Sequence, residues 1–117
     1  MNINTNKLKE IILEEIHIDV DDQTRRREII QGRIIYCKIL RDMGWTTARI
    51  GKSIDKSHST VIYHVNKFKE DEEIYGDQSS VVKNYRIIKN KFFKHMNNEF
   101  MLSFDKDVLQ IEIESII

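Results

Sequence analysis

The chain has 117 residues, enough for one domain with a single hydrophobic core, and equal numbers of basic and acidic side chains give it a net charge of zero. Because it has one cysteine and no stretch approaching the ~20 apolar residues of a membrane span, we exclude a disulfide framework and a membrane-spanning protein. Proline is absent and helix formers dominate, which predicts an all-α fold. A signal-peptide pattern is missing and a lone thiol fits a reducing compartment, so we expect a cytoplasmic protein, or one of the host cytoplasm if the source is viral.

The charges are unevenly distributed along the chain. Between Asp22 and Lys69 there are eleven basic and four acidic side chains, so this central segment carries a net charge of +7 and the remainder carries −7. A basic module between acidic flanks is the asymmetry expected of a protein with a nucleic-acid-binding face. The alternative is that long amphipathic helices simply carry solvated charge.

Two helices are predicted before the basic centre. The first runs from Thr5, its predicted cap, to Ile18, with an apolar face of leucine and isoleucine. The second and longest runs from Gln23 to Met43, and Gly44 follows as a left-handed stop against which Trp45 packs. Cys37 lies among isoleucines of this helix and is predicted to be a buried free thiol.

A run of three arginines, Arg25, Arg26 and Arg27, falls at the start of this second helix. Positive charge there opposes the helix dipole, so an exposed cluster is unfavourable without a partner. We therefore favour contact with phosphates or with a narrow minor groove, which attracts arginine.

The stretch from Thr46 to Lys69 predicts two helices joined by a short turn. Thr46 or Thr47 would cap the first helix, in which Gly51 marks a close approach, here expected to the next helix. The pair Asp55-Lys56 breaks the pattern, and Ser57 would cap the second helix.

The second helix of this pair has two distinct faces. Val61, Val65 and Phe68 form an apolar stripe at i, i+4 and i+7, with Ile62 flanking it. The opposite face is polar but mostly uncharged and consists of Ser59, Thr60, Tyr63, Asn66 and Lys67. Such a composition is more typical of a helix that contacts base edges in a major groove than of a helix face that is only solvated.

The chain becomes acidic between Glu70 and Asp77, and these acids are expected at the far end of the helix that begins at Ser57. A further helix is predicted from Ser79 or Ser80 to about Met96. Beyond it, Phe100, Leu102 and Phe104 alternate, as in a short strand or an extended docking segment. Asp105 would cap a last helix, although strand remains open there. This apolar C-terminal segment either packs on the first helix of the same molecule or pairs with a second copy or another protein.

No catalytic or cofactor site is predicted. Gly51-Lys52-Ser53 resembles the end of a phosphate-binding loop, but Thr46 stands where that motif requires its first glycine, so we exclude nucleotide binding. The four histidines lack zinc-ligand spacing with Cys37. Because no nucleophile with a base or carboxylate pair stands out, we expect a protein that is not an enzyme and needs no cofactor.

The run His58-Ser59-Thr60-Val61-Ile62-Tyr63-His64-Val65 resembles a signature of the C-terminal duplex-DNA-binding domain of the bacterial replication initiator DnaA. The upstream Arg49-Ile50-Gly51 and Leu40-Arg41-Asp42-Met43 resemble further parts of that domain, and the likeness covers about residues 25–96. The chain departs from the family at Ser57, where the family has an acidic residue, and at Asp55-Lys56 in the turn.

This resemblance implies a single helix-turn-helix domain of about four core helices, with an N-terminal helix at 5–18, a core at 22–96 and a docking or oligomerisation segment at 97–117. It implies double-stranded DNA as partner, with the helix that begins at Ser57 in the major groove and the three arginines in the place of the family's basic loop. The expected DNA contacts are Arg25, Arg26, Arg27, Arg33, Arg49, Lys52, Lys56, Ser57, His58, Ser59, Thr60, Tyr63, Asn66 and Lys67.

Three processes use such domains: replication initiation, transcriptional repression and genome handling in a phage-like element. Two alternatives to duplex reading remain open. The fold could serve as a protein-interaction or assembly module, with residues 100–117 contacting a second copy or another protein. RNA binding is less favoured, because few aromatic residues are expected to be exposed for base stacking.

Overall fold

A computed structural model describes residues 4–102, with side chains described for residues 4–97. The fold prediction is confirmed: the described chain is all-α. Its helices are α1 (Thr5–Ile16), α2 (Arg27–Asp42), α3 (Thr47–Ser53), α4 (His58–Tyr75) and α5 (Ser80–Leu102), with a 3-10 turn (Gly76–Gln78) between the last two.

Helix α1 starts at Thr5, which was predicted to be its cap, and ends two residues earlier than predicted. The side chain of Asn4, rather than that of Thr5, accepts the N–H of Lys7 at 3.1 Å. His17 ends the helix in the left-handed region, at φ 58°. The chain can then turn so that Ile18 reaches α2, where its Cγ2 lies 2.5 Å from the position of a Cβ on Gly32. Ile18 therefore has room to pack into the core because residue 32 of α2 is a glycine.

Helix α2 begins at Arg27, four residues later than predicted. The loop before it has its own hydrogen bonds: the Asp19 carboxylate accepts the N–H of Asp21 at 2.9 Å, and that of Asp22 accepts the N–H of Thr24 at 2.8 Å. Such side-chain-to-backbone bonds compete with helix formation. Arg25 and Arg26 consequently lie in a loop, and Arg27 is the first helical residue.

The stop at the end of α2 is confirmed. Gly44 has φ +90°, its N–H bonds to the carbonyl of Arg41 at 3.0 Å, and the N–H of Trp45 bonds to that of Leu40 at 3.1 Å. These two bonds define a Schellman motif, which satisfies carbonyls at the helix end. Trp45 packs back against the core with 8% of its surface exposed.

Helix α2 lies at the centre of the core, in contact with all four other helices. Its buried side chains include Ile35, Tyr36, Ile39 and Leu40. Cys37 is buried as predicted, and burial raises the pKa of its thiol to about 12. The remaining fully buried large side chains come from the surrounding elements: Leu8, Ile12, Val20, Ile50, Ile54, Phe68, Ile88 and Phe92.

The acidic residues lie at the far end of the helix that begins at His58, as predicted, but residues 70–73 are helical rather than in the acidic loop that the resemblance implies. Helix α4 continues to Tyr75, so the acidic residues 70–73 occupy its last turns, and the chain reverses at Gly76 with φ 50°. Ser79 then accepts the N–H of Val82 at 3.3 Å, which confirms a serine cap for α5. Residues 100–102 belong to α5, so a strand is wrong for them and the helix crosses the predicted boundary at 96–97. Residues 103–117, including Phe104 and Asp105, lie outside the described residues.

Polar contacts attach α5 to α2 and α1. The hydroxyl of Tyr85 donates to the Asp42 carboxylate, and Lys89 donates to that hydroxyl at 2.8 Å. Lys91 pairs with Glu15 of α1. Two of the lysines on α5 are thus engaged within the protein rather than offered to a partner.

Candidate nucleic-acid interface

Helices α3 and α4 form a helix-turn-helix whose turn is held by backbone contacts. Thr46 caps α3 by accepting the N–H of Arg49 at 3.2 Å. After α3, Asp55 takes the left-handed conformation at φ 55°, and the N–H of Lys56 returns to the carbonyl of Gly51 at 2.8 Å. A Cβ on Gly51 would lie 2.4 Å from the Lys56 carbonyl oxygen. The close approach predicted for Gly51 is therefore made to the turn rather than to α4 itself.

The N-terminus of α4 is capped and exposed. The Ser57 hydroxyl accepts the N–H of Thr60 at 3.2 Å and lies 3.1 Å from the Thr60 hydroxyl, as the predicted cap requires. Ser57, His58 and Ser59 are exposed. The first N–H groups of a helix have no acceptor within it, so this end can receive an anion.

The two faces of α4 are close to those predicted, with one difference. Val61 and Phe68 are fully buried, but the third buried position is His64, which is 4% exposed, while Val65 is half-buried. Ile62 is 42% exposed and Tyr63 is 59% exposed. The outward-facing residues are His58, Ser59, Ile62, Tyr63, Asn66 and Lys67.

Clefts border this face on both sides. On the side of the α1–α2 loop, a cleft of about 380 Å³ lies between the start of α2 and Tyr63 and Lys67 of α4, with Arg25 and Arg27 in its wall. On the other side, a cleft of about 350 Å³ is lined by Arg41, Thr47, Ile62, Val65 and Asn66. Arginines therefore stand on both flanks of α4, and Arg41 is one that the sequence did not single out.

The three consecutive arginines are exposed, and none forms a salt bridge with a described residue. The nearby Asp22 carboxylate has its pKa lowered chiefly by the hydrogen bonds from Thr24, with smaller contributions from the charges of Arg26 and Arg33. The cluster is thus exposed positive charge that no salt bridge among the described residues neutralises.

Arg33 does not belong with this cluster, which corrects its predicted role as a phosphate contact. Its side chain is 3% exposed. Nε donates to the carbonyl of Val20 at 3.1 Å, and Nη2 donates to the carbonyl of Asp22. Arg33 instead fixes the α1–α2 loop on α2, and so it positions the loop that carries Arg25 and Arg26.

The remaining predicted cations differ in how firmly they are held. The Arg49 guanidinium stacks on Trp45, 3.8 Å from the ring centroid. Lys56 donates to the Gln23 side chain at 2.9 Å, which ties the helix-turn-helix turn to the arginine-bearing loop. Lys67 lies 3.5 Å from Glu70, and Lys52 is exposed with no salt bridge among the described residues.

His64 is a residue of this region that the sequence interpretation missed. Neither ring nitrogen has a hydrogen-bond partner among the described residues. Burial, with added repulsion from Arg33 and Lys56, lowers the pKa of His64 to about 4, so the imidazole is neutral at pH 7. Buried polar atoms without partners are uncommon in folded proteins and require a physical explanation.

The described range 4–102 holds no cluster of three or more histidine, cysteine or acidic side chains that could bind a metal ion. None of its helices combines the length and the apolar character needed to cross a membrane.

Curated relatives share part of this chain. The chromosomal replication initiator protein DnaA of Borrelia garinii subsp. bavariensis is 39% identical over 74 residues, covering 59% of this chain and 15% of that protein. The proteins of the same name from Borreliella burgdorferi and Borrelia duttonii are 39% and 38% identical, with the same coverage. No family model matches the chain, and no solved structure matches it significantly. The predicted resemblance to DnaA is confirmed for this part, and the chain spans 15% of the length of these relatives.

Proposed function

We propose that the protein binds double-stranded DNA and inserts α4 into the major groove. The observation that carries this proposal is the exposed face of α4, which is polar, largely uncharged and flanked by arginines without salt bridges to described residues. A major groove is wide enough for one helix, and hydrogen-bonding side chains on that helix can distinguish base pairs there. A helix face that is only solvated would usually carry more charged side chains.

Base reading is assigned to the exposed N-terminal turns of α4. His58 and Ser59 lie at the free end of the helix, where the dipole and unpaired N–H groups also favour a phosphate. Tyr63 and Asn66 continue the exposed face by one and two further turns. The Asn66 side chain can pair with adenine through two hydrogen bonds, the usual amide–adenine arrangement.

Backbone binding is assigned to the cations around α4. Arg25, Arg26 and Arg27 would contact phosphates or enter the adjacent minor groove, since all three are exposed without salt bridges to described residues and Arg25 and Arg27 line the cleft beside α4. Four cations of the helix-turn-helix would contact further DNA phosphates: Arg49, Lys52, Lys56 and Lys67. We leave Arg33 out of this set because it is buried.

The relatives are replication initiators by name, and we propose a role for this protein in replication or transcription control in the cytoplasm. Because the chain spans 15% of those proteins, no enzymatic activity of theirs is assigned to it, and we propose a DNA-binding protein that is not an enzyme.

A protein-interaction module is the second candidate. Ile74 and Tyr75 are 69% and 58% exposed at the C-terminal end of α4, away from its capped N-terminus. An exposed apolar pair next to acidic residues suits a protein contact. In this alternative the α4 surface would contact protein and would not distinguish DNA sequences.

Binding to a random duplex library separates the two candidates. Fluorescence anisotropy at two salt concentrations, followed by sequencing of the bound fraction, should yield an enriched motif. His58→Ala should weaken binding to that motif by about 1–3 kcal/mol and leave binding to random DNA unchanged. Equal losses on both kinds of DNA would remove the base-reading role, and an absence of binding at low salt would favour the protein-interaction module.

The arginine loop is tested by salt dependence. Arg26→Ala should weaken binding to all duplexes alike and reduce the slope of log affinity against log salt by about 0.9. Arg86→Ala provides a matched control, because Arg86 is an exposed arginine on α5 that pairs with Asp77. An unchanged slope in Arg26→Ala would show that this arginine makes no phosphate contact.

A further inference from the structure

We propose that the cleft between the α1–α2 loop and the N-terminal part of α4 is a phosphate subsite, with His64 in its wall as a ligand. This inference rests on the proposed DNA-binding function for the source of the phosphate, a backbone phosphodiester, but the chemistry is that of any phosphate oxygen. It assigns a binding role to a buried residue that the proposed interface does not otherwise use.

The cleft has a volume of about 310 Å³ and brings basic and hydrogen-bonding groups together from three elements. Arg25 comes from the loop, Lys56 from the helix-turn-helix turn, and Thr60 and His64 from α4. Its other lining residues are Ile30, Arg33 and Tyr63, so every charged group that lines it is a cation. Such a concavity is electrostatically complementary to an anion.

His64 provides the second observation. Only 4% of its surface is exposed, and it lines the cleft. Both of its ring nitrogens lack a hydrogen-bond partner among the described residues. A buried donor without a partner destabilises a fold. A phosphate oxygen in the cleft would supply the missing acceptor for a ring N–H.

Burial, together with the surrounding charges, explains why the ring stays neutral, with a single N–H, when no anion is bound. Arg33 from α2 and Lys56 from the turn repel a second positive charge on the ring, and burial lowers the pKa of His64 to about 4. A phosphate would neutralise this repulsion and attract a proton to the ring. An opposite charge at ~4–6 Å typically moves a pKa by about 1–3 units, so occupation of the cleft should raise that of His64 by such an amount.

The test follows the imidazole nitrogens of the full chain by long-range ¹H–¹⁵N NMR across a pH titration. The probes are inorganic phosphate and a duplex, each compared with sodium chloride at equal ionic strength. We expect both probes to raise the pKa of His64 by about 1–3 units. The exposed His17, remote in sequence from the cleft residues of α4, serves as the internal control for non-specific effects.

A pair of variants then assigns the response to the cleft. Lys56→Gln should lower the apparent affinity for inorganic phosphate, as measured from the His64 resonances, at least threefold. Lys83→Gln, which removes an exposed lysine of α5 that does not line the cleft, should leave the response unchanged. Equal responses in the two variants would overturn the assignment.

The outcomes separate the subsite from the proposed function. If the duplex binds by anisotropy but neither probe moves the His64 resonances, the subsite is refuted while DNA binding stands. If inorganic phosphate moves them and no duplex binds, the subsite stands as a site for free phosphate and the proposed function fails. If neither probe binds, both are refuted. Because the central readout uses the unmodified protein, it does not depend on whether a His64 variant folds.

Discussion

The carbonyl oxygen of Lys56 lies 2.4 Å from the place where a Cβ atom on Gly51 would stand. Real Cβ atoms do not approach a backbone oxygen so closely, and this oxygen cannot rotate away as the end of a side chain could. The N–H of the same Lys56 bonds to the carbonyl of Gly51 at 2.8 Å, so the turn is fixed against α3 from both sides. The geometry between α3 and α4 therefore depends on the absence of a side chain at position 51.

The first prediction follows from this contact. Gly51→Ala should lower the free energy of unfolding by about 1–3 kcal/mol through overpacking, although alanine favours a helix interior over glycine by about 1 kcal/mol. The measurement is urea unfolding followed by circular dichroism. Ala48→Gly, at an exposed position of the same helix, should cost about 1 kcal/mol through helix propensity alone. Unchanged or increased stability in Gly51→Ala would contradict the tight turn.

Arg33 gives the second prediction. Arg33→Met keeps an apolar stem but removes the donors that reach the carbonyls of Val20 and Asp22. Hydrogen bonds to a charged group contribute about 1.5–3 kcal/mol each, and for the two bonds we expect a total loss of about 3–6 kcal/mol in the free energy of unfolding. Arg26→Ala, at an exposed position of the neighbouring loop, should change stability by less than about 0.5 kcal/mol. Similar stabilities for the two variants would show that the buried arginine does not hold the loop.

Tyr85 gives the third prediction. Tyr85→Phe retains the ring, whose centroid lies 4.6 Å from that of Phe68, but removes the hydroxyl that donates to Asp42. Burial alone would raise the pKa of Asp42, yet the hydrogen bonds from Lys38 and Tyr85 outweigh it and hold the pKa below its usual value. We expect a loss of about 1–2 kcal/mol at pH 7.

The pH dependence of that loss follows from the sign of the Asp42 shift. A lowered carboxyl pKa stabilises the fold above the unfolded-state pKa, and this contribution disappears as pH falls through the folded-state value. The difference between Tyr85→Phe and the unmodified protein should therefore narrow at pH 3, as measured by urea unfolding at both pH values. A constant difference at pH 7 and pH 3 would mean that the hydroxyl acts independently of the Asp42 charge.

Local signals explain what the sequence predicted well. Thr46, Ser57 and the pair Gly44-Trp45 each act through hydrogen bonds to residues at most five positions away, and all three predictions are confirmed. The exposed positions of Tyr63 and Asn66 also follow directly from the helical period. Features of this kind require no knowledge of the rest of the fold.

Tertiary context explains what the sequence missed. His64 stands three residues after Val61 and four before Phe68, so the helical period already placed it on the buried face, but its polarity obscured that position. Arg33 likewise stands four residues before the buried Cys37, and its burial is satisfied by carbonyls of a loop that no local pattern reveals. The resemblance implied an acidic loop before the last helix, yet residues 70–73 are helical, since no helix-breaking residue occurs before Gly76.

His64 gives the last prediction, which concerns the unliganded protein. Its folded pKa of about 4 lies below the ordinary value of 6.5, so between these limits the unfolded chain binds more protons and stability falls as pH falls. Over this window the histidine should remove on the order of 3 kcal/mol from the free energy of unfolding. His64→Leu removes both the titration and the two unpartnered nitrogens, so its stability at pH 7 should equal or exceed that of the unmodified protein, and its pH profile from 6.5 to 4 should be flatter. His58→Leu, at an exposed position of the same helix, should retain the original profile. Parallel profiles for His64→Leu and the unmodified protein, measured by urea unfolding, would mean that His64 remains able to accept a proton when folded, and would remove the stability cost that a bound phosphate is inferred to relieve.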